Sequence, residues 1–233
     1  MDNVDETLVS GADEAGRGPV LGPLVICAAC FREADIPVLK EQGVTDSKKL
    51  TPKRREELVS VILEKCIDHE LVVFSARDIV ESMQSGVNLN QLEVNGFAKA
   101  INAMLGRGIS PRITWIDAAD VIEERFGEHI QLQLDRKLSL QSMHKADAIH
   151  IPVGAASILA KTKRDALIDE LAGEYHNYNI GSGYPSDPVT RAFLKEYYTE
   201  HGEYPSITRT TWGTLKKLEK ELGILPKGQT TLF

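Results

Sequence analysis

Between the apolar runs at residues 7–13 and 20–31 lie only Glu14 to Pro19, and the shortness of that gap decides how the two runs can pair. Parallel neighbours need a crossover of about a dozen residues, so a Gly-rich turn this short makes an antiparallel pair. Later strand-like runs are spaced by helix-length segments, as an α/β layered domain with a mixed sheet requires. "HELVVFSA" (69–76) and "PRITWIDAAD" (111–120) read as the third and fourth strands, and "EHIQLQL" (128–134) as a fifth.

The helices announce themselves by their ends. Thr51 can cap a helix with Pro52 in its first turn, and Leu58, Ile62 and Cys66 then recur at helical spacing. Phe97, Ile101, Met104 and Leu105 form one stripe within 88–108, which closes on glycines. The longest helix is expected over 153–175, entered after Pro152; another follows over 186–202 with Asp187 as cap, and a last one over 211–223. The expected organisation is one domain over residues 1–222, C-terminal helices included, with a flexible tail at 223–233.

Among 233 residues, 42% hydrophobic content suffices for a core without cross-links. No apolar run approaches the ~20 residues of a membrane span, and the start MDNVDET is acidic, so a soluble cytoplasmic monomer is expected. Cys27 and Cys30 spell C-x-x-C, but on a strand residues three apart point to opposite faces, which predicts two buried small hydrophobes. A net charge of −7 argues against broad polyanion binding while allowing a local nucleic-acid site. The groups Lys48-Lys49, Lys53 to Arg55, Lys161 to Arg164 and Lys216 to Lys220 read as solvated helix faces.

Gly16-Arg17-Gly18 is followed by a strand, so it is no dinucleotide turn, and Gly223 to Thr230 lacks the lysine of a P-loop. No histidines show zinc spacing, and His144 and His150 read as surface or capping residues. The acidic residues are different. Asp13-Glu14 end the first strand, Asp117 ends the fourth, and Asp147 precedes the long helix. Carboxylates at the ends of strands in one sheet converge, and several in one pocket repel unless cations join them. All-oxygen donors suit Mg²⁺ or Mn²⁺. Neighbouring strand residues face opposite ways, so for both Asp13 and Glu14 to reach one metal the strand must end or bulge between them.

The segments "GADEAGRGPVLGPLV", "DSKKL", "WIDA", "HKADA…AASILAKTKRD" and "GSGYPSDP" occur in the order found in ribonuclease HII, from about Leu8 to about Trp212. The chain resembles that family, and Arg17 stands where the related ribonuclease HIII type carries a lysine. The "DSKKL" spelling and the tail look archaeal. The resemblance implies a ribonuclease H-like layered fold with a mixed β-sheet flanked by helices. It implies an endoribonuclease that hydrolyses the RNA strand of RNA–DNA hybrids and cuts 5′ to single ribonucleotides in duplex DNA. Two divalent cations would act, leaving a 3′-hydroxyl and a 5′-phosphate.

Carried over by position, Asp13, Glu14, Asp117 and Asp147 resemble the family's metal-binding catalytic carboxylates. Gly16, Arg17 and Gly18 resemble the turn whose backbone meets the ribose 2′-hydroxyl. Tyr184 resembles the tyrosine that packs on the sugar at the RNA-to-DNA junction. Asp46, Ser47 and Lys48 match a motif near the bound backbone. Another ribonuclease H-like metal nuclease, a resolvase or exonuclease, would lack the Gly-Arg-Gly turn paired with Tyr184. A non-catalytic hybrid-binding or clamp-adaptor protein would not need four carboxylates. In the tail, Gln229, Leu232 and Phe233 resemble a shortened motif for the sliding clamp PCNA, which predicts weak binding that is lost when 229–233 are deleted.

Overall fold

The computed structural model describes residues 7–221, so the tail with Gln229, Leu232 and Phe233 lies outside the described residues. Its centre is a mixed sheet of β1 (Leu8–Ala15), β2 (Leu24–Arg32), β3 (Cys66–Phe74), β4 (Ile113–Asp117) and β5 (Leu140–Met143), in the order β3-β2-β1-β4-β5. The hairpin expectation holds: β1 pairs antiparallel with β2, and β2 with β3, while β1, β4 and β5 run parallel.

The nine helices of the described residues are α1 (Ile36–Glu41), α2 (Pro52–Lys65), α3 (Ala76–Gln84), α4 (Leu89–Gly106), α5 (Glu123–Gln131), α6 (Ala146–Ile149), α7 (Ile151–Glu174), α8 (Pro188–His201) and α9 (Gly213–Glu221). Thr51 and Asp187 cap α2 and α8 as expected, each with proline in the first turn. The Phe97, Ile101 and Met104 stripe of α4 packs with Phe126 and Ile130 of α5 on one face of the sheet, over Ala12, Ile26 and Ile116. On the other face Leu58 and Ile62 of α2 and Ala155, Ile158 and Leu159 of α7 cover Val25, Cys27 and Phe31. Cys27 belongs to the second layer and Cys30 to the first, both buried and both free, so the period-of-two argument about them holds. A third cluster ties α8 and α9 to the β1–β2 connection through Val20, Leu21, Phe193, Leu194, Leu215 and Leu218.

Three expectations need correction. The second strand starts at Leu24, because Gly22 takes φ +77° and Pro23 lacks an N–H; Val20 and Leu21 pair with the C-terminal segment instead. Cys66 opens β3 in place of ending α2, since pairing with Phe31 of β2 overrides its helical spacing. "EHIQLQL" is helical through Gln131: Phe126 and Ile130, four apart, are the buried pair, and Leu132 is 82% exposed. The fifth strand is Leu140–Met143, a short edge strand whose adjacent Gln141 and Ser142 leave no apolar run to detect. The capping box at Ser75 and Asp78, which starts α3, also went unread.

Gly11 explains how close the layers come. A Cβ there would lie 2.3 Å from the backbone of Pro152 and Val153, so the start of α7 rests directly on β1.

Candidate active site

The register of β1 against β4 pairs Ala12 with Ile116, and the next step sets Asp13 beside Asp117 at the C-terminal edge of the parallel strands. Asp147 is brought to the same edge by α6. Lys145, before it, is the one non-glycine residue with positive φ (+58°) among the described residues, and the Ala146 N–H after it donates to Asp117 Oδ1 at 2.9 Å. A backbone turned into the left-handed region is tolerated where its surroundings fix it, here by the carboxylate it serves. Asp13, Asp117 and Asp147 each offer an oxygen within 4.8 Å of the others.

Glu14 stands outside that trio. The strand neither ends nor bulges between the two acids: Asp13 pairs with Cys27, Glu14 with Ile26 and Ala15 with Val25 in unbroken register. Asp13 therefore shares the α7 face with Gly11 and Ala15, while Glu14 shares the α4 face with Ala12. It remains close enough to Asp117 and Arg17 to feel their charges.

Burial is the main force on these groups. It raises the Asp13 carboxyl well above its ordinary range, with Glu14 and Asp117 adding repulsion. Glu14 is pushed up to about 7 by burial and Asp117, against the pull of Arg17 and Lys48. Asp147 is pushed to about 6 by burial and Asp117. Asp117 is raised too, by burial, although the Ala146 amide and Lys48 oppose it. Asp13 Oδ2, Glu14 Oε2 and Asp147 Oδ2 are buried without a hydrogen-bond partner among the described residues. Orphaned carboxylate oxygens that repel one another fit a divalent cation bound by oxygen ligands.

A pH dependence follows. These folded-state pKa values lie above those of the unfolded chain, so the folded protein holds protons that the unfolded chain has released. The stability this contributes is full at acid pH and is lost as pH rises through the folded values. The metal-free protein is expected to lose several degrees of melting temperature between about pH 5 and pH 7, and saturating Mn²⁺ to remove that slope. A melting temperature that rises across this window without metal would contradict the assignment.

The remaining sequence-predicted residues surround the trio. Lys48, 79% exposed, holds its Nζ 3.9 Å from Asp147 Oδ2. Burial of part of the side chain opposes its charge, but Asp147, Asp13, Asp117 and Asp46 outweigh that and raise its pKa. Asp46 caps the short turn by accepting the Lys48 N–H at 2.9 Å, and the buried Ser47 hydroxyl shares a 2.8 Å hydrogen bond with Ser157 of α7. Ser157 in turn lowers the Asp13 pKa through a hydrogen bond, and the Glu14 N–H donates to Asp13 Oδ1 at 2.7 Å.

At the turn, Gly16 takes φ +93° and a Cβ there would come within 2.5 Å of the Pro23 carbonyl, so only glycine fits. The Arg17 side chain is committed to α4, donating to Glu93 and to Asn90 Oδ1 at 2.6 Å. A Cβ on Gly18 would sit 3.8 Å from the Tyr184 ring, so turn and tyrosine adjoin. His150 stacks on Trp115, 4.4 Å between centroids, and takes no part.

Sequence reasoning missed several supports of this site. Arg55 and Arg164, read as parts of solvated faces, are buried and both turn to Asp165, at 3.0 and 3.4 Å, as Lys161 also does. Arg164 lies 5.3 Å from the Tyr184 centroid, beside a cleft of about 380 Å³ that these residues line. Glu93, at 0% exposure, is the hidden partner of Arg17, and Arg209, also at 0%, lies under the turn. Nothing in a charge pattern separates a buried arginine from a solvated one, and Arg209 sits in an irregular segment with no periodicity to read.

A mixed sheet flanked by helices, whose parallel strands end in converging carboxylates able to hold a metal ion, defines an α/β protein of the ribonuclease H-like class. Comparison with known proteins is in agreement. The family model described as Ribonuclease HII matches residues 10–215, and the chain belongs to the ribonuclease HII family, metal-dependent endoribonucleases. The Ribonuclease HII of Thermococcus onnurineus is 50% identical over 227 residues, covering 96% of each chain. The crystal structure of ribonuclease H2 from Pyrococcus horikoshii superposes with a TM-score of 0.83 at 41% identity, over 93% of this chain and 99% of that one. A structure of the PCNA:RNase HII complex from Archaeoglobus fulgidus gives 0.79 at 35% identity, over 96% and 98%.

Proposed function

We propose that this enzyme hydrolyses the RNA strand of RNA–DNA hybrids and cuts duplex DNA on the 5′ side of single ribonucleotides, leaving a 3′-hydroxyl and a 5′-phosphate. The observation that carries this reading is adjacency: the glycine turn begins two residues after Glu14 and touches Tyr184 through Gly18. A phosphate at the carboxylates then has its ribose at the turn and the next sugar at the tyrosine.

Asp13, Glu14, Asp117 and Asp147 would hold two divalent cations, Mg²⁺ or Mn²⁺, Glu14 from the opposite strand face. When bound, these supply an acidified water for attack and neutralise charge on the leaving 3′-oxygen. Lys48 offers an ammonium to the backbone phosphate from a loop that Asp46 and Ser47 hold in shape. Backbone groups of the turn recognise the 2′-hydroxyl, the group that separates RNA from DNA. Tyr184, 37% exposed, presents its ring to a deoxyribose, where an added hydroxyl would crowd it. In the tail, Gln229, Leu232 and Phe233 would engage the organism's sliding clamp, a reading that the Archaeoglobus complex favours.

The direct test is cleavage of an end-labelled duplex carrying one ribonucleotide, with and without Mg²⁺ or Mn²⁺, with the product termini mapped. Cutting of an all-DNA duplex at a similar rate would favour a resolvase or exonuclease. Tyr184→Ala is expected to lower kcat/KM about tenfold on the single-ribonucleotide duplex, and less on a long hybrid, because stacking on the junction sugar is lost. Equal losses on both substrates would make Tyr184 a structural residue.

A further inference from the structure

Arg209 raises a question that packing does not answer. It is fully buried, and no carboxylate pairs with it among the described residues. Burial and the nearby Arg164 pull its pKa down to about 9. An uncompensated buried cation is costly, and a long apolar side chain would fill the same space. Its hydrogen bonds show what the charge is for. Nη2 donates to the Gly16 carbonyl at 2.7 Å, Nη1 to the Arg17 carbonyl at 3.1 Å and Nε to the Gly22 carbonyl at 2.9 Å. Trp212 lies against the guanidinium at 5.0 Å, and its indole N–H approaches the Gly18 carbonyl at 3.4 Å. The backbone docks as well: the Arg209 N–H donates to Val20 at 2.8 Å, and the Gly22 N–H to Ile207 at 2.9 Å.

Peptide planarity turns these contacts into a statement about the opposite side of the loop. No peptide among the described residues is cis, and in a trans peptide the carbonyl and the following N–H point in opposite directions. With the Gly16 and Arg17 carbonyls drawn toward Arg209, the N–H groups of Arg17 and Gly18 point away from it. Neither has a hydrogen-bond partner among the described residues. Pro19 has no N–H, so the series stops at two donors. Gly18 faces Tyr184, which locates this pair at the exposed rim of the site.

We infer that Arg209 is the positioning residue for ribose specificity: by holding the carbonyls of the glycine turn inward, it presents the Arg17 and Gly18 amides as a donor pair to the 2′-oxygen of the ribonucleotide. This rests on the reading above that the turn meets the 2′-hydroxyl, and it specifies that the hydroxyl is taken there as an acceptor. The planar fork is essential, because three donors must reach three carbonyls at once and an ammonium on a flexible stem cannot span them.

The test uses full-length Arg209→Lys and Arg209→Met with two duplexes of one sequence, one carrying a single ribonucleotide and one all DNA. Both variants are expected to lose about 100-fold in kcat/KM on the ribonucleotide duplex, as when a site built to bind a hydroxyl is disordered. Affinity for the all-DNA duplex and for Mn²⁺, read by calorimetry, should stay at the wild-type level. Wild-type turnover by Arg209→Lys would overturn the proposal, since charge alone would then suffice. An equal loss of affinity for the all-DNA duplex would also overturn it, by assigning the amides to a phosphate oxygen. If neither variant folds, ¹⁵N-labelled wild-type protein titrated without metal decides the matter. The Arg17 and Gly18 amide resonances should shift with the ribonucleotide duplex and not with the all-DNA duplex; no such difference would rule the proposal out. Failure of the wild-type enzyme to cut at the ribonucleotide would instead remove the parent reading, independently of these resonances.

Discussion

Asp13→Asn is expected to lower kcat by about 10³-fold while leaving affinity for an RNA–DNA hybrid nearly unchanged. A bound cation contributes several kcal/mol of charge stabilisation that matters only as the phosphodiester breaks, and about 4 kcal/mol is about 10³-fold in rate. The same substitution removes a buried carboxyl whose ionisation burial, Glu14 and Asp117 all oppose, so the metal-free variant should melt at a higher temperature than the wild type at neutral pH. A metal ligand predicts these two outcomes together, slower and more stable; a merely structural carboxylate predicts less stable. Single-turnover kinetics at saturating Mn²⁺ and a pair of thermal melts measure both. Near-normal turnover would remove Asp13 from the site.

Gly11→Ala is expected to cost about 3 kcal/mol of stability or more, although it adds a single methyl group in a strand. The added carbon would meet the backbone of Pro152 and Val153 at 2.3 Å, and backbone cannot rotate aside as a flexible side chain can. Relief requires α7 to lift from β1, and α6 with Asp147 adjoins that end of the helix. Residual folded protein should therefore bind Mn²⁺ more weakly, which calorimetry alongside urea unfolding would record. Wild-type stability in this variant would mean that the two layers do not touch at Gly11.

What could be read in the chain, and what could not, divides along physical lines. The hairpin of β1 and β2 was legible because a short turn leaves one way to pair, and α4, α7 and α8 because long apolar periods and caps agree. Asp117 stood out as a charge ending an apolar run. α5 was misread since Ile130, Leu132 and Leu134 alternate like a strand, whereas burial at Phe126 and Ile130 follows the helical period. β5 escaped because four residues on a sheet edge carry too little pattern. The relation of Asp13 to Glu14 was the subtler miss: the strand keeps its pleat, and the two acids take opposite faces. Arg209 and Glu93 were invisible because their partners are backbone carbonyls and a distant arginine, neither of which leaves a mark on local sequence.

The distances along the chain that this site bridges also govern when it can exist during synthesis. Ser10 and Thr114, 104 residues apart, share a 2.7 Å hydrogen bond across the two central strands, and Arg209 reaches back 193 residues to Gly16. The β1–β2–β3 meander is local and can form as soon as its residues emerge, but parallel pairing of β1 with β4 must wait for long loops to close. Asp147 comes later still, and the turn stays unclamped until the final helices arrive. A chain that has emerged as far as β3 thus carries Asp13 and Glu14 on β1 with neither Asp117 nor Asp147 yet beside them, and the turn gains its clamp only when Arg209 follows.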